Sequence, residues 1–423
     1  MTLNVWTPAA DDAGRPVMVW IHGGGFAMGG AARPLYDGSN LARRGDLVVV
    51  SFNYRLGALG FLHLDGIPAN IGMLDQIAAL RWVRDNIAAF GGDPNQVTIF
   101  GESAGGRSVA VLLAMPRANR LFQRAIAQSG ACQPLAHRAE VVRKASEELL
   151  SEMGIAGGDV ETLRRAPLDE LREAQIHCME ETELATGISR FIPVVDGKSL
   201  PALPLDAIRQ GAARDVSLLA GTNKDETRFG ILTHFQGNRP DMEMVHKRVN
   251  DVLRAYGYSE DNARRLVETY QRAQAGRASA VEPVDVLCAF DTDLKYRMPV
   301  IRLIEAQSVH QTNTYSYLFT WESPLLDGMM GSTHGLELPF VFGTLDAPQM
   351  DEFAGTGAAV EALSANVMDA WIAFARTGNP HHDGLPAWDA YDTVRRATMI
   401  LGSELELCAA PYDKERSAWD GIL

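Results

Sequence analysis

A glycine-rich stretch in the first third of the chain decides the fold, and it reads Val97-Thr98-Ile99-Phe100-Gly101-Glu102-Ser103-Ala104-Gly105-Gly106. It holds the only Gly-x-Ser-x-Gly of the sequence, between a β-branched run and an apolar helical pattern over 109–115. A sharp turn from strand to helix makes a serine hydroxyl project clear of the backbone, at the cost of strained φ and ψ. Glycines on both sides let strand and helix approach. This context predicts that Ser103 is a nucleophile rather than part of an ordinary strand-to-helix turn.

A second glycine-rich segment, His22-Gly23-Gly24-Gly25-Phe26, follows a predicted strand. Acyl transfer builds negative charge on the carbonyl oxygen, and rigidly held backbone N–H groups stabilise that charge. We expect these donors at Gly24, at Gly25 and at Ala104, the residue after the serine. His22 precedes the nucleophile and is expected to support the loop. The alternatives are a flexible turn or a phosphate loop, but a phosphate loop requires a fuller Gly-x-Gly-x-x-Gly or a Lys-Ser/Thr that is missing here.

Short apolar runs alternate with helical patterns, which is typical of a parallel sheet covered by crossover helices. Strands are predicted at 17–21, 47–52, 97–100, 125–127, 216–220 and 315–319, and helices at 77–90 and 360–376. Two charged, helix-forming stretches at about 138–175 and 242–274 are interpreted as helical insertions. No repeat or Pro-rich linker divides the chain. We therefore predict an α/β fold with a mostly parallel central sheet flanked by helices, in which residues 1–423 form one domain.

A serine nucleophile needs a base, and the base needs an acid that fixes its tautomer. The chain order of a hydrolase fold is nucleophile, acid, base, which favours late histidines such as His334 in its small-residue loop. His381 and His382 are expected in an exposed loop. Histidines in charged helical stretches are expected on solvated faces, and they include His137, His177 and His246.

The acid is expected directly after the strand predicted at 216–220, because a parallel sheet delivers catalytic side chains at such strand ends. Asp225 and Glu226 both stand there. Pattern alone does not separate the two, and an acidic helix start is the ordinary alternative.

Composition excludes several classes of protein. With 39 Lys and Arg against 53 Asp and Glu, the net charge of −14 repels phosphate backbones, so no nucleic-acid partner is expected. No stretch approaches the roughly 18 apolar residues of a membrane span, and the N-terminus lacks a leader pattern, so a cytoplasmic location is expected, the alternative being a secreted protein whose signal has been lost. The four cysteines are widely spaced, which predicts reduced, mostly buried thiols and no metal site: Cys132, Cys178, Cys288 and Cys408.

The segments, taken in order along the chain, resemble the type B carboxylesterases, a family that includes cholinesterases, bile-salt lipases and bacterial para-nitrobenzyl esterases. The resemblance is carried by Leu3-Asn4-Val5-Trp6, the block 20–26, Asn53-Tyr54-Arg55-Leu56-Gly57, Phe90-Gly91-Gly92-Asp93-Pro94, the serine motif and the block 374–380. It implies an α/β-hydrolase fold, with Glu226 as the acid and His334 as the base. It further implies that Ser129 lies near the acid, the alternative being a packed structural serine. His22 and Glu102 are expected beside the site.

The chain also departs from that family. Members normally carry a further stretch ahead of the block that begins here at Leu3, and in cholinesterases it holds the aromatic residue that binds choline. Choline esters are therefore not expected substrates. Arg107 stands where relatives commonly show small or apolar residues.

The resemblance and the motifs together predict a serine carboxylesterase acting on small esters through an acyl-enzyme, with no cofactor. Activity is expected to rise around the ordinary histidine pKa of roughly 6.5, because the base must be neutral. Substrate pockets are expected near the helical insertions, Phe26 and Trp321. The alternatives are a binding protein with an esterase fold and no activity, an inactive fragment, and a lipase. The oligomeric state is left open.

Overall fold

The computed structural model describes residues 2–132, 137–180, 190–235, 239–277 and 281–423. Within these ranges, nine strands form one sheet in the order β1-β3-β2-β4-β5-β6-β7-β8-β9. The strands are β1 (Leu3–Trp6), β2 (Arg15–Ile21), β3 (Val48–Phe52), β4 (Gly92–Glu102), β5 (Arg124–Gln128), β6 (Ser217–Asn223), β7 (Thr314–Phe319), β8 (Ala397–Leu401) and β9 (Leu405–Ala409). All neighbours pair in parallel except at the two edges, where β1 runs antiparallel to β3 and β9 to β8.

Seventeen α-helices lie in the described ranges. They are α1 (Ser39–Gly45), α2 (Gly57–Phe61), α3 (Ile71–Asn86), α4 (Ala104–Ala114), α5 (Ala139–Glu152), α6 (Val160–Arg165), α7 (Leu168–Glu180), α8 (Pro204–Arg209), α9 (Arg228–His234), α10 (Met242–Ala255), α11 (Glu260–Ala275), α12 (Pro283–Thr292), α13 (Met298–Ser308), α14 (Leu338–Phe342), α15 (Met350–Ala354), α16 (Ala358–Thr377) and α17 (Asp413–Ala418). A single π-helical turn, Asp293–Arg297, joins α12 to α13.

The sheet is buried on both faces. Successive residues of a strand point to opposite sides, so each strand contributes side chains to both apolar layers. Val17, Val19 and Ile21 of β2 pack with α3 and α4 in one apolar layer. Met18 and Trp20 of the same strand pack with α14 and α16 in the other layer. This double burial explains why the parallel strands are almost continuously apolar.

The predicted α/β class is confirmed, and each predicted strand overlaps an observed one. Strands β1 and β9 at the two edges of the sheet, and β8 next to β9, were not predicted. The stretch predicted as helical over 138–175 contains α5, α6 and most of α7, and the one over 242–274 contains α10 and α11. Helices α10, α11 and α12 enclose a third apolar cluster with Trp419, separate from the two sheet layers.

One helix, α16, is long and apolar enough to pass a test for a membrane span, with 20 residues and a mean hydropathy of 1.2. Its side chains, including Trp371 and Phe374, pack against the sheet. A core helix passes the same test, so this single helix is not an indication of a membrane span.

Candidate active site

Ser103 lies at a sharp turn between β4 and α4, as the sequence predicts. Its φ of 57° and ψ of −119° are unfavourable for a residue with a side chain. The backbones meet so closely that a Cβ at Gly105 would collide with the carbonyl oxygen of Ile21, and one at Gly101 would lie 2.6 Å from the carbonyl carbon of Gly105. The Ser103 N–H donates to the carbonyl of Gln128 at 2.9 Å. The turn is thus held from both sides, and the strain presents the serine side chain to the site.

The glycine segment after β2 lies directly over Ser103. A Cβ placed on Gly23 would be 3.1 Å from the Ser103 Cβ. Gly24 has a φ of 107° and Gly25 a φ of 64°, conformations that favour glycine. The N–H of Ala104 begins α4, where the first N–H groups have no partner within the helix. The glycine segment and the start of α4, which carry the three expected donors, therefore both lie next to Ser103.

His22 supports this loop, in agreement with the role expected for it. It is buried, its Nδ1 lies 2.8 Å from the Gly23 carbonyl oxygen, and its ring stacks on Tyr54 at 4.5 Å. The Tyr54 hydroxyl donates to the His22 carbonyl at 2.8 Å. Burial lowers the pKa of His22. The imidazole is therefore held neutral beneath the loop.

His334, in the loop between β7 and α14, contacts Glu226, which lies just after β6. Glu226 follows β6 and is almost completely buried, and its Oε2 is 2.6 Å from the Nδ1 of His334. Its Oε1 accepts a hydrogen bond from the Asn223 backbone N–H at 2.8 Å. The carboxylate is thus fixed by one oxygen and orients the imidazole with the other.

Asp225 has a different position, which separates the two acids that the sequence left open. Its Oδ2 accepts the N–H of Ser332 at 3.0 Å, and its own N–H donates to the Ser332 carbonyl at 2.9 Å. Asp225 therefore fastens the loop that carries His334, while Glu226 contacts the imidazole.

Glu102 lies on the opposite side of the imidazole. Its Oε1 is 3.0 Å from the His334 Nε2, although the geometry is not that of a hydrogen bond. In the described part of the chain no hydrogen bond joins the Ser103 hydroxyl to His334. The ring of Tyr296, on the π-helical turn, packs against the imidazole at 4.7 Å between centroids. Nothing in the sequence pattern pointed to Tyr296.

The charges around His334 set its protonation. Burial alone lowers its pKa, whereas the neighbouring Tyr296, Glu102 and Glu226 raise it, and the net direction is well above the ordinary value. The pH at which the imidazole becomes neutral therefore lies above the value expected from the sequence.

Glu337 is a third buried carboxyl of the site, and sequence analysis did not single it out. Its oxygens accept hydrogen bonds from the Asn223 side chain at 2.7 Å and from the Gln128 side chain at 3.2 Å. Burial, together with Glu102 and Glu226, raises the pKa of Glu337 to about 8. An acid within the apolar run 336–342 is the signal that could have identified it.

Ser129 follows β5, which pairs with β6 ahead of Glu226, but no hydrogen bond joins Ser129 to Glu226 in the described part of the chain. Its N–H donates to Gly221 in β6 at 2.8 Å, and its buried hydroxyl has no hydrogen-bond partner among the described residues. It has a φ of 47°. The observed role is therefore to join the end of β5 to β6.

The remaining histidines lie away from Ser103, with one error in their expected environment. His177 and His246 are exposed, as predicted, and His382 contacts the Asn366 carbonyl. His137 is not on a solvated face: it is buried, with Nδ1 2.7 Å from the Pro193 carbonyl oxygen. Burial lowers its pKa to about 4. The prediction was wrong because the charged helix begins only at Ala139.

A cavity of about 380 Å³ opens beside His334 and Glu226. Its apolar wall comes from α9, α10 and α12 and consists of Phe229, Ile231, Phe235, Met244 and Leu287. This volume is typical of small-ligand sites. Part of the wall comes from a helical insertion, as expected. Phe26 is instead buried in the core against Phe61, and Trp321 packs on Phe340.

Among the described residues no disulfide joins the four cysteines, of which three are buried and Cys408 is half-buried. Over the described ranges, no group of three or more His, Cys, Asp or Glu side chains is arranged to hold a metal ion.

A mostly parallel sheet, a strained serine after β4 and an acid–histidine pair after later strands define an α/β-hydrolase. The chain belongs to the carboxylesterase family, whose profile matches residues 1–419. It is 39% identical to the para-nitrobenzyl esterase of Bacillus subtilis, over 98% of this chain and 81% of that protein. It is 36% identical to the phenmedipham hydrolase of Pseudarthrobacter oxydans, over 96% and 79%. A crystal structure of a Geobacillus stearothermophilus carboxylesterase superposes with a TM-score of 0.87 at 38% identity, covering 99% of this chain and 85% of that one. The enzyme is a hydrolase of carboxylic esters.

Proposed function

We propose that this carboxylesterase works through Ser103, His334 and Glu226. Ser103 attacks the ester carbonyl, and His334 takes the hydroxyl proton and returns it to the leaving alcohol. Water then attacks the acyl-enzyme with His334 again as the base. The observation that supports this most strongly is the 2.6 Å contact between Glu226 and His334. It lies at the C-terminal ends of the parallel strands, where the strained serine also lies.

The N–H groups of Gly24, Gly25 and Ala104 are the proposed donors to the oxyanion. They are fixed by the glycine loop and by the start of α4, so no reorganisation is required when charge develops on the substrate. The protein itself supplies nucleophile, base and oxyanion donors, and the proposed reaction requires no cofactor.

Glu102 is proposed to stabilise the imidazolium. When His334 holds the serine proton, a carboxylate 3.0 Å from Nε2 lowers the energy of the positive ring. For the attack itself Nε2 must accept from Ser103, and catalytic hydrogen bonds commonly tighten only when substrate is bound.

The apolar cavity beside His334 is proposed to receive the alcohol part of the ester. His334 must protonate the leaving oxygen, so that oxygen lies on the His334 side of the carbonyl carbon. The cavity volume of about 380 Å³ suits a small aliphatic or aryl alcohol. We propose esters of short to medium acyl chains, and a cytoplasmic location, which is supported by the lack of a disulfide among the described cysteines.

Turnover of p-nitrophenyl esters from acetate to octanoate, by the parent and by Ser103→Ala, tests the proposal. The matched control is Ser108→Ala, which removes a hydroxyl from the same helix, where it accepts from Gln76 at 3.0 Å. We expect Ser103→Ala to lose about 10⁴-fold or more in kcat and the control to stay within about threefold. Equal turnover by Ser103→Ala and the parent would refute the nucleophile assignment.

A further inference from the structure

Arg107 lies one helical turn after the nucleophile. Its N–H donates to the Ser103 carbonyl at 2.9 Å, which places it on the first turn of α4. Four residues of helix advance about 6 Å along the axis. Helical side chains lean toward the N-terminus of their helix, so the Arg107 side chain covers the turn that begins at Ser103.

The guanidinium of Arg107 has no acidic partner in the described part of the chain. The residue is half-buried, and no described carboxylate lies within ion-pair distance of it. Four arginines with little exposed surface differ in this respect, whereas the half-buried Arg124 also has no carboxylate partner in the described part of the chain. Arg15, Arg297, Arg302 and Arg416, whose side chains are 10 to 12% exposed, each face a carboxylate. Withdrawing a cation from water without a counter-charge is costly.

The titratable groups that feel the charge of Arg107 are themselves neutral near pH 7. Burial raises the pKa of the Cys132 thiol to about 12, against the opposing effect of Arg107. Burial and then Arg107 lower the pKa of His137 to about 4. Burial raises the pKa of the Tyr256 phenol. These three groups therefore carry no negative charge near pH 7, and they would not repel an anion brought to the guanidinium.

The direction from Ser103 to Arg107 is the direction left for the acyl chain. In the proposed reaction the carbonyl oxygen faces the Gly24 and Ala104 donors, and the leaving alcohol lies toward His334. The third substituent of the carbonyl carbon therefore extends along α4 and the loop after β5. Gly130 of that loop lies directly against this turn of α4, because a Cβ there would be 2.8 Å from the Arg107 nitrogen.

We propose that Arg107 binds a carboxylate carried by the acyl chain, so that the enzyme prefers half-esters of dicarboxylic acids to neutral esters of equal length. This inference rests on the proposed nucleophile. Arginine is suited to the role because its planar guanidinium pairs with a carboxylate through two hydrogen bonds.

Steady-state hydrolysis of monomethyl adipate and methyl hexanoate by the parent enzyme is the first test. The two substrates share the leaving group and chain and differ only in a terminal carboxylate or methyl group. We expect kcat/KM to be about tenfold to a hundredfold higher for monomethyl adipate. This comparison requires no variant. A parent enzyme that prefers methyl hexanoate overturns the inference and leaves the proposed ester hydrolysis intact. The nucleophile is tested separately by Ser103→Ala, which should lose activity on both substrates.

Variants then assign the preference to Arg107. We expect Arg107→Gln to lower the ratio of the two kcat/KM values at least tenfold, and Arg107→Lys to retain most of it. The control Arg117→Gln removes an exposed arginine just beyond the same helix and should keep the parental ratio. An Arg107→Gln enzyme with the parental ratio overturns the inference. The same carboxylate placed in the alcohol part, as in 4-acetoxybutyrate, should give no preference that depends on Arg107.

Discussion

The Nδ1 of His334 lies 2.6 Å from Glu226 Oε2, while the neighbouring acid, Asp225, holds the backbone of the histidine loop at Ser332. Two adjacent carboxylates thus have separate tasks. One orients the imidazole, and the other positions the segment that carries it.

This division predicts different effects of two conservative substitutions. Glu226→Gln keeps the size of the side chain but removes the charge that fixes the imidazole tautomer, so we expect kcat to fall by about 10³- to 10⁴-fold. Asp225→Asn is the matched control and should cost about 1 kcal/mol of stability while retaining turnover within about tenfold. Turnover with p-nitrophenyl butyrate and thermal unfolding measure both effects. Equal losses of turnover in the two variants would refute the assignment.

The contact between Glu102 and His334 predicts a shift of the pH profile. The active imidazole is neutral, and the Glu102 charge raises the pKa of His334. Glu102→Gln should therefore lower that pKa and move the acid limb of kcat/KM to lower pH. The profile is measured from pH 5 to 9, with Glu361→Gln, on the exposed side of α16, as control. An unmoved limb in Glu102→Gln would contradict this electrostatic role.

Glu337 predicts a pH dependence of stability. Its pKa is raised to about 8 in the folded enzyme, above an unfolded value near 4.3. Between these values the folded state holds a proton that the unfolded state has lost, so this contribution to stability decreases as pH rises. Glu337→Gln resembles the neutral form and removes the contribution. Urea unfolding at pH 5, 6, 7 and 8 should show the parent losing stability more steeply, by up to about 1.4 kcal/mol per pH unit. Parallel curves would refute the raised pKa.

The packing at the serine turn predicts that Gly105 cannot be replaced. A Cβ there would collide with the Ile21 carbonyl, so Gly105→Ala should cost about 1–3 kcal/mol or more and displace the serine. Gly157→Ala is the control, because a Cβ at Gly157 meets nothing within 4 Å. Urea unfolding and esterase activity are compared for both variants. A Gly105→Ala enzyme with parental stability would show that strand and helix are not closely packed.

The central part of the fold could be predicted because its strands are buried on both faces and are therefore apolar over several residues. Strand β9, at the edge of the sheet, escaped prediction for the opposite reason: it is short and has only half-buried and exposed positions. The turn at Ser103 could be predicted because its backbone packing requires glycines at particular positions, and these glycines are visible in the sequence. Motif order alone could not separate Asp225 from Glu226, since both follow β6 and only the loop geometry distinguishes them.

Other features of the site depend on contacts between distant segments. Tyr296 reaches His334 from a π-helical turn, and Glu337 is buried by residues of β5 and β6. Their effects on pKa follow from burial and from neighbouring charges, neither of which a local pattern records. The environment of His137 was missed for the same reason, because its partner is the carbonyl of Pro193.

Covalent labelling of the nucleophile tests the central claim most directly. The enzyme is inactivated with diethyl 4-nitrophenyl phosphate, digested and mapped by mass spectrometry, with Ser103→Ala treated in parallel. We predict one diethylphosphoryl group per chain, on Ser103, formed in step with the loss of activity and missing from Ser103→Ala. Complete inactivation with the label on another residue, and with Ser103 unmodified, would contradict the account.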